Sequence, residues 1–172
     1  MPKEIILVDK NNKKIGIDEK IKAHIEARLH RSFSVLVFNP KKELLIQRRT
    51  KNKYHSGGLW TNTCCSHPKP GEKLKSAIHR RLGEEMGFDC DLEKIGSFIY
   101  KVKFNNGLYE NEYNHVFMGF SHQEPKINRE EIKDWKWINI NKLKKDIKKN
   151  PNKYTYWFKI IINKYLKNGS FI

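Results

Sequence analysis

The sequence predicts a single α/β (α+β) domain, strands surrounding one central helix with helices added at the end, on three observations. Short runs rich in Val, Ile and Phe recur along the chain, which is how half-buried strands read. Two stretches instead space their apolar residues by three and four, the helical period. And the 172 residues contain no repeat and no long Pro/Gly/Ser linker, so one compact unit spanning residues 1–172 accommodates them.

Taken in order, the expected strands are Glu4–Val8, Phe33–Phe38, Glu43–Gln47, Ile95–Val102, Glu112–Phe120 and Trp135–Ile140. Asn39-Pro40-Lys41-Lys42 supplies turn residues between the second and third, which predicts a hairpin. Between Gly71 and Gly87, Leu74, Ala77, Ile78 and Leu82 make one apolar face, so a helix enters from the Pro70-Gly71 turn and stops at Gly87. Tyr154, Trp157, Phe158, Ile161, Ile162 and Tyr165 make a second stripe near the end.

Composition narrows the class. With 38% apolar and 12% aromatic residues the chain has the material for a core, and its apolar runs are far shorter than the ~20 residues of a membrane span. Glu4 and Asp9 interrupt the opening segment, which does not read as a signal peptide, so the expected compartment is cytoplasmic. Three cysteines, with Cys64 and Cys65 adjacent, make a poor disulfide framework and point to reduced thiols. The net charge of +16 calls for an anionic partner or a solvated Lys-rich surface. Residues 126–172 carry 13 basic and 4 acidic residues, more than half of the excess, but their aromatics lie on the apolar stripe instead of between the lysines where bases would stack. A nucleic-acid partner is therefore not expected.

The central helix carries chemistry. Arg81 and Glu85 are four residues apart, as are Arg80 and Glu84, so cations and carboxylates pair toward its end. Such a helix can present oxygen ligands to a hard divalent cation that holds a diphosphate. Glu72, Arg80, Leu82, Glu84, Glu85, Gly87 and Phe88 have the spacing of the Nudix box, seven of its nine defined positions, enough to make the likeness specific. Ser66 stands where the box begins with Gly, and Arg81 where it has a metal-binding Glu. The resemblance thus implies a Nudix-type fold, a mixed β-sheet sandwich flanked by helices, while the Arg81 substitution points to a site that binds a diphosphate without cutting it.

Upstream lies Trp60-Thr61-Asn62-Thr63-Cys64-Cys65-Ser66-His67-Pro68, and downstream Glu110-Asn111-Glu112. With Lys20, His24, the segment Arg28-Leu29-His30-Arg31-Ser32-Phe33-Ser34, Arg48-Arg49, Tyr100 and Trp157, these resemble the type I isopentenyl-diphosphate isomerases over nearly the whole chain. The resemblance implies a Nudix core at about residues 31–141, an N-terminal metal-ligand segment 1–30 and a C-terminal helical segment 142–172. Glu110 and Glu112 are two apart, so a strand would point both carboxylates to one face. Folded together with His24, His30 and His67, they would make a three-nitrogen, two-carboxylate cage suited to one Mn²⁺, Zn²⁺ or Fe²⁺. His55, His79, His115 and His122 match no position of the family and are expected to be structural or exposed.

What the resemblance implies for activity is interconversion of isopentenyl and dimethylallyl diphosphate through a tertiary carbocation. Glu112, supported by Tyr100, would protonate the alkene, and Cys65, not Cys64, would remove a C2 proton as thiolate. Trp157 would face the cation. Mg²⁺ would sit between the diphosphate, Glu85 and the backbone carbonyl of Cys65, with Lys20, Arg49, Lys53 and Arg81 on the phosphate oxygens. The protein would thus take a small-molecule diphosphate as its partner, engage no nucleic acid or membrane, and be a monomer or weak homodimer. The competing reading is a Nudix hydrolase of a nucleoside diphosphate derivative, which would need neither Cys65 nor the histidine cage.

Overall fold

The computed structural model describes residues 3–166. Its nine strands form one curled mixed sheet: β1 (Glu4–Val8), β2 (Lys14–Glu19), β3 (His30–Phe38), β4 (Glu43–Arg49), β5 (Trp60–Thr61), β6 (Cys64–Ser66), β7 (Leu92–Lys103), β8 (Tyr109–Phe120) and β9 (Ile132–Asn139). Four helices accompany it: α1 (Lys20–Ile25), α2 (Leu74–Met86), α3 (Ile140–Lys149) and α4 (Tyr156–Tyr165). All six expected strands are present, with β2, β5 and β6 in addition.

The long apolar strand β3 is the spine. It runs parallel to β8 along its whole length, from His30 opposite Glu112 to Phe38 opposite Phe120. On its other side it meets β1, then β6, then β4 in succession. The turn after β3 closes as expected, with Lys42 N–H donating to Asn39 O and Asn39 N–H to Glu43 O. The hairpin nevertheless pairs at one position, Phe38 with Leu44, because β4 leaves to join β9 and β5. That divergence curls the sheet.

Alternation along β3 then builds two cores. Phe33, Val35 and Val37 face Ala77, Ile78, Leu82 and Met86 of α2, while Leu36 and Phe38 face the other way into a cluster with Leu143, Trp157, Phe158, Ile161 and Ile162 of α3 and α4. Both faces of the sheet are thus covered, α2 on one and α3 with α4 on the other. Helix α2 ends at Gly87, whose φ of 74° is left-handed and where a Cβ would meet Lys126 O at 2.7 Å, so only glycine fits. The strand expected to run to Ile140 stops at Asn139 instead. The Asn139 side chain accepts from the N–H groups of Asn141 and Lys142, which caps α3 and turns Ile140 into its first residue.

Candidate functional site

The register of β8 assembles the site. The parallel pairing puts His30 beside Glu112, and the antiparallel β7 puts Tyr100 beside Glu112 and Val102 beside Glu110. Being two apart on a strand, Glu110 and Glu112 share the face toward which α1 turns, and both are buried. Helix α1, capped by the Glu19 carboxylate on Ile21 and Lys22 N–H, carries Lys20 and His24 one turn apart and buries both. His67 arrives from β6, held by the pairing of Ser66 with Phe33. Alternation in that short strand also separates the two thiols: Cys64 is enclosed under α2, whereas Cys65 reaches the opposite face and lines the pocket.

His24, His30, His67 and Glu110 bring one ligand atom each to within 4.8 Å of one another, all buried. His24 Nδ1 donates to Lys20 O at 2.6 Å and His30 Nδ1 to Arg28 O at 2.9 Å. A carbonyl only accepts, so Nδ1 carries a proton and Nε2 is the nitrogen turned into the cluster. Both Nε2 atoms, and Glu110 Oε2, are buried without a hydrogen-bond partner. Orphaned donors converging in this way fit a bound metal ion, with the backbone carbonyls fixing ring orientation. Glu112 Oε1 adjoins the set, 3.1 Å from His67 Nε2 and 3.8 Å from His30 Nε2. Its Oε2 accepts from Tyr100 Oη at 2.7 Å and from Asn114 Nδ2 at 3.1 Å.

Electrostatics follow from burial and these contacts. Burial works to raise both carboxyls, but the histidines around Glu110, and His67 beside Glu112, outweigh it and hold both below the usual range. Burial pushes His67 down to about 4 and Lys20 down to about 8. It pushes the Cys65 thiol up to about 12, against the pull of Arg49. Burial thus keeps Cys65 as a thiol, while the neighbouring histidines favour the charged form of Glu112.

The pocket, about 500 Å³ including its mouth, is lined by Lys20, Arg49, Lys53, Cys65, Tyr100 and Trp157 together with Glu85, Glu110, Glu112 and His67. Trp157 serves two ends at once, packing in the core under α4 and donating from Nε1 to Asn62 Oδ1 at 3.2 Å while its ring lies 5.6 Å from the Arg49 guanidinium. Arg81 alone of the expected phosphate ligands does not line the pocket. Its Nη2 lies 2.5 Å from Glu85 Oε1 and 2.8 Å from Glu131 Oε2, behind the wall. Glu85 accepts in addition from Gln47 Nε2 at 2.8 Å. Lys53, far from being a surface lysine, is paired to the same Glu131 at 2.8 Å.

Sequence reading missed three members of this neighbourhood: His55, Glu131 and Gln47. His55, expected to be structural or exposed, is buried with Nε2 2.6 Å from Glu110 Oε1. It lies two residues after Lys53 in a Gly- and Ser-containing turn, and that proximity was the only signal available. The other three histidines behave as expected: His79 pairs with Asp89 at the surface, His115 is buried beside Tyr113, and His122 is exposed.

A carboxylate-bearing helix laid over a curled mixed sheet, with its acidic end facing a cation-lined pocket, defines the Nudix class. Residues 28–158 match the NUDIX domain. The crystal structure of a Deinococcus radiodurans protein superposes with a TM-score of 0.77 at 17% identity, over 94% of this chain and 99% of that one. The MutT protein of Methanosarcina mazei superposes at 0.68 and 19%, over 83% and 96%. At such identities these share the fold alone. Sequence relatives are nearer: the isopentenyl-diphosphate delta-isomerase 2 of Photorhabdus laumondii is 53% identical over 95% of this chain and 92% of its own. That of Aromatoleum aromaticum is 45% identical over 96% and 88%. The chain belongs to the isopentenyl-diphosphate delta-isomerase family of Nudix proteins.

Proposed function

We propose that this protein interconverts isopentenyl and dimethylallyl diphosphate by moving one proton on and one off the carbon skeleton. The observation that carries the reading is a single pocket in which a buried carboxylate, Glu112, and a thiol, Cys65, share a wall with Lys20, Arg49 and Lys53. One end handles protons and the other holds phosphate. Hydrolysis fits less well, because Arg81 replaces a carboxylate of the box and grips Glu85 and Glu131.

In the forward direction, the Glu112 carboxyl gives its proton to C4 of the C3=C4 alkene, leaving a tertiary cation at C3. Cys65 then takes a proton from C2, and the double bond forms between C2 and C3. Tyr100 positions Glu112 through its hydrogen bond, and the Trp157 ring faces the cation. A Cys65 thiol and a Glu112 carboxylate are the state that forward turnover leaves behind. The same state starts the reverse reaction: the thiol protonates C2 and the carboxylate removes a proton from the C4 methyl.

His24, His30, His67, Glu110 and Glu112 would hold one Mn²⁺, Zn²⁺ or Fe²⁺, and Glu85 with the Cys65 carbonyl would hold Mg²⁺ against the diphosphate. Bound there, the ions supply positive charge beside the proton-donating carboxyl and between the phosphate oxygens. Lys20, Arg49 and Lys53 orient the phosphates, and Arg81 joins that end of the site from behind Glu85. The rest of the basic excess, such as Lys142, Lys145, Lys148 and Lys149, lies exposed on α3, where it reads as a solvated helix face. No helix among the described residues is long and apolar enough to cross a membrane, and we place the protein in the cytoplasm as a monomer or weak homodimer. Residues 31–141 would then form the core, with His24 and His30 brought to the site by the segment before it and Trp157 by the helical segment after it. Incubating the protein with isopentenyl diphosphate and Mg²⁺ and following the allylic methyl signals by NMR tests the activity. Conversion without phosphate release is expected.

A further inference from the structure

His55 belongs to none of the motifs that identify the family, yet the structure fixes its ring on every side. The ring stacks on Phe104 at 4.5 Å and 11°, meets Tyr54 edge-on at 4.3 Å and faces the edge of Trp157 at 5.9 Å. The turn that carries it is tied down by Asn106 Nδ2 donating to Tyr54 O at 2.8 Å and by Arg49 Nη2 donating to His55 O at 3.3 Å. Its Nδ1 lies 3.3 Å from the Ser56 hydroxyl. Nε2 stands 2.6 Å from Glu110 Oε1, a close polar contact without the alignment of a regular hydrogen bond.

The two oxygens of Glu110 therefore have separate surroundings. Oε1 faces His55, while Oε2 faces His24 Nε2 at 3.4 Å and His30 Nε2 at 3.7 Å and has no hydrogen-bond partner. His55 itself lies outside the set whose ligand atoms fall within 4.8 Å of one another. It touches the ligand, not the place a metal would take.

We propose that His55 is a positioning residue for the metal centre: its ring, locked by the aromatics around it with Nε2 2.6 Å from Glu110 Oε1, confines that oxygen so that the carboxylate presents Oε2 alone to the ion. The proposal rests on the reading that His24, His30, His67 and Glu110 bind a divalent metal. A glutamate has three side-chain torsions to fix before it can ligate, and a partner on the far oxygen fixes them before the ion arrives. The neighbouring aromatics keep the imidazole from following any other acceptor. Partners of this kind, acting one bond sphere out from the ion, change metal affinity by roughly 10–100-fold.

The test is Zn²⁺ affinity of the full chain, measured by chelator competition without substrate. His55→Phe keeps a ring stacked on Phe104 but has no donor; His55→Gln keeps an N–H donor. Wild type should bind one Zn²⁺, His55→Phe should bind it roughly 10–100-fold more weakly, and His55→Gln should recover most of the loss. Thermal unfolding of the metal-free His55→Phe protein should match wild type, separating lost positioning from lost folding. Wild-type affinity in His55→Phe, or equal loss in both variants, would overturn the proposal. A wild-type protein that bound no Zn²⁺ would instead overturn the metal reading beneath it.

Discussion

Tyr100 and Glu112 stand opposite each other in the β7–β8 pair, and the Tyr100 hydroxyl donates to Glu112 Oε2 at 2.7 Å. Sheet register thus aims the carboxyl we propose as the proton donor, and two substitutions separate aim from chemistry. Tyr100→Phe removes one hydrogen bond to a charged group, about 1.5–3 kcal/mol, and should lower kcat roughly 10–100-fold. Glu112→Gln removes the proton itself and should cost roughly 10²–10⁴-fold or more. Steady-state kinetics of both variants check the order.

The two thiols make an internal control. Cys65 lines the pocket and Cys64 is enclosed by the α2 core. Cys65→Ala should abolish isomerisation with little change in stability, whereas Cys64→Ala should retain most activity and lose about 1 kcal/mol in urea unfolding. Equal loss of activity in the two would contradict the assignment.

Arg81 is a structural keystone of the carboxylate cluster behind the pocket. Its guanidinium is buried between Glu85, Glu84 and Glu131. Arg81→Ala would leave the buried Glu85 carboxylate without its cation and Glu131 with Lys53 alone, so unfolding in urea should show a loss of about 3–5 kcal/mol.

Glu131 gives a pH signature. Burial acts to raise its carboxyl, but the hydrogen bonds from Arg81 and Lys53 outweigh it and bring it down to about 2. A depressed acid stabilises the fold above its unfolded value near 4.5 and loses that contribution as pH falls toward 2. The stability gap between wild type and Glu131→Gln should therefore be largest above pH 4.5 and shrink toward pH 2, measured by urea unfolding across that range.

Strands with one or both faces buried were legible in the sequence because alternation or apolar runs mark them; β3 is the clearest. Strand β2 was not, because Ile15 and Ile17 are exposed on a sheet edge and carry no burial signal. Ile140 reads as strand by its neighbours, and only the Asn139 cap assigns it to a helix. Within the site, the residues that the motifs carry, Cys65, His67, Glu110 and Glu112, do line one pocket. His55 and Glu131 escaped because each lies in irregular chain outside any period, and their roles arise from contacts 55 and 50 residues away, with Glu110 and Arg81. Spacing cannot encode a contact that only tertiary folding creates.

The most direct measurement is proton exchange into product. Isopentenyl diphosphate and Mg²⁺ incubated with the protein in deuterated water should yield dimethylallyl diphosphate carrying deuterium in its C4 methyl group, with no label gained by the Glu112→Gln or Cys65→Ala proteins. Release of inorganic phosphate from an undeuterated, unisomerised substrate would contradict the account and return the chain to hydrolysis.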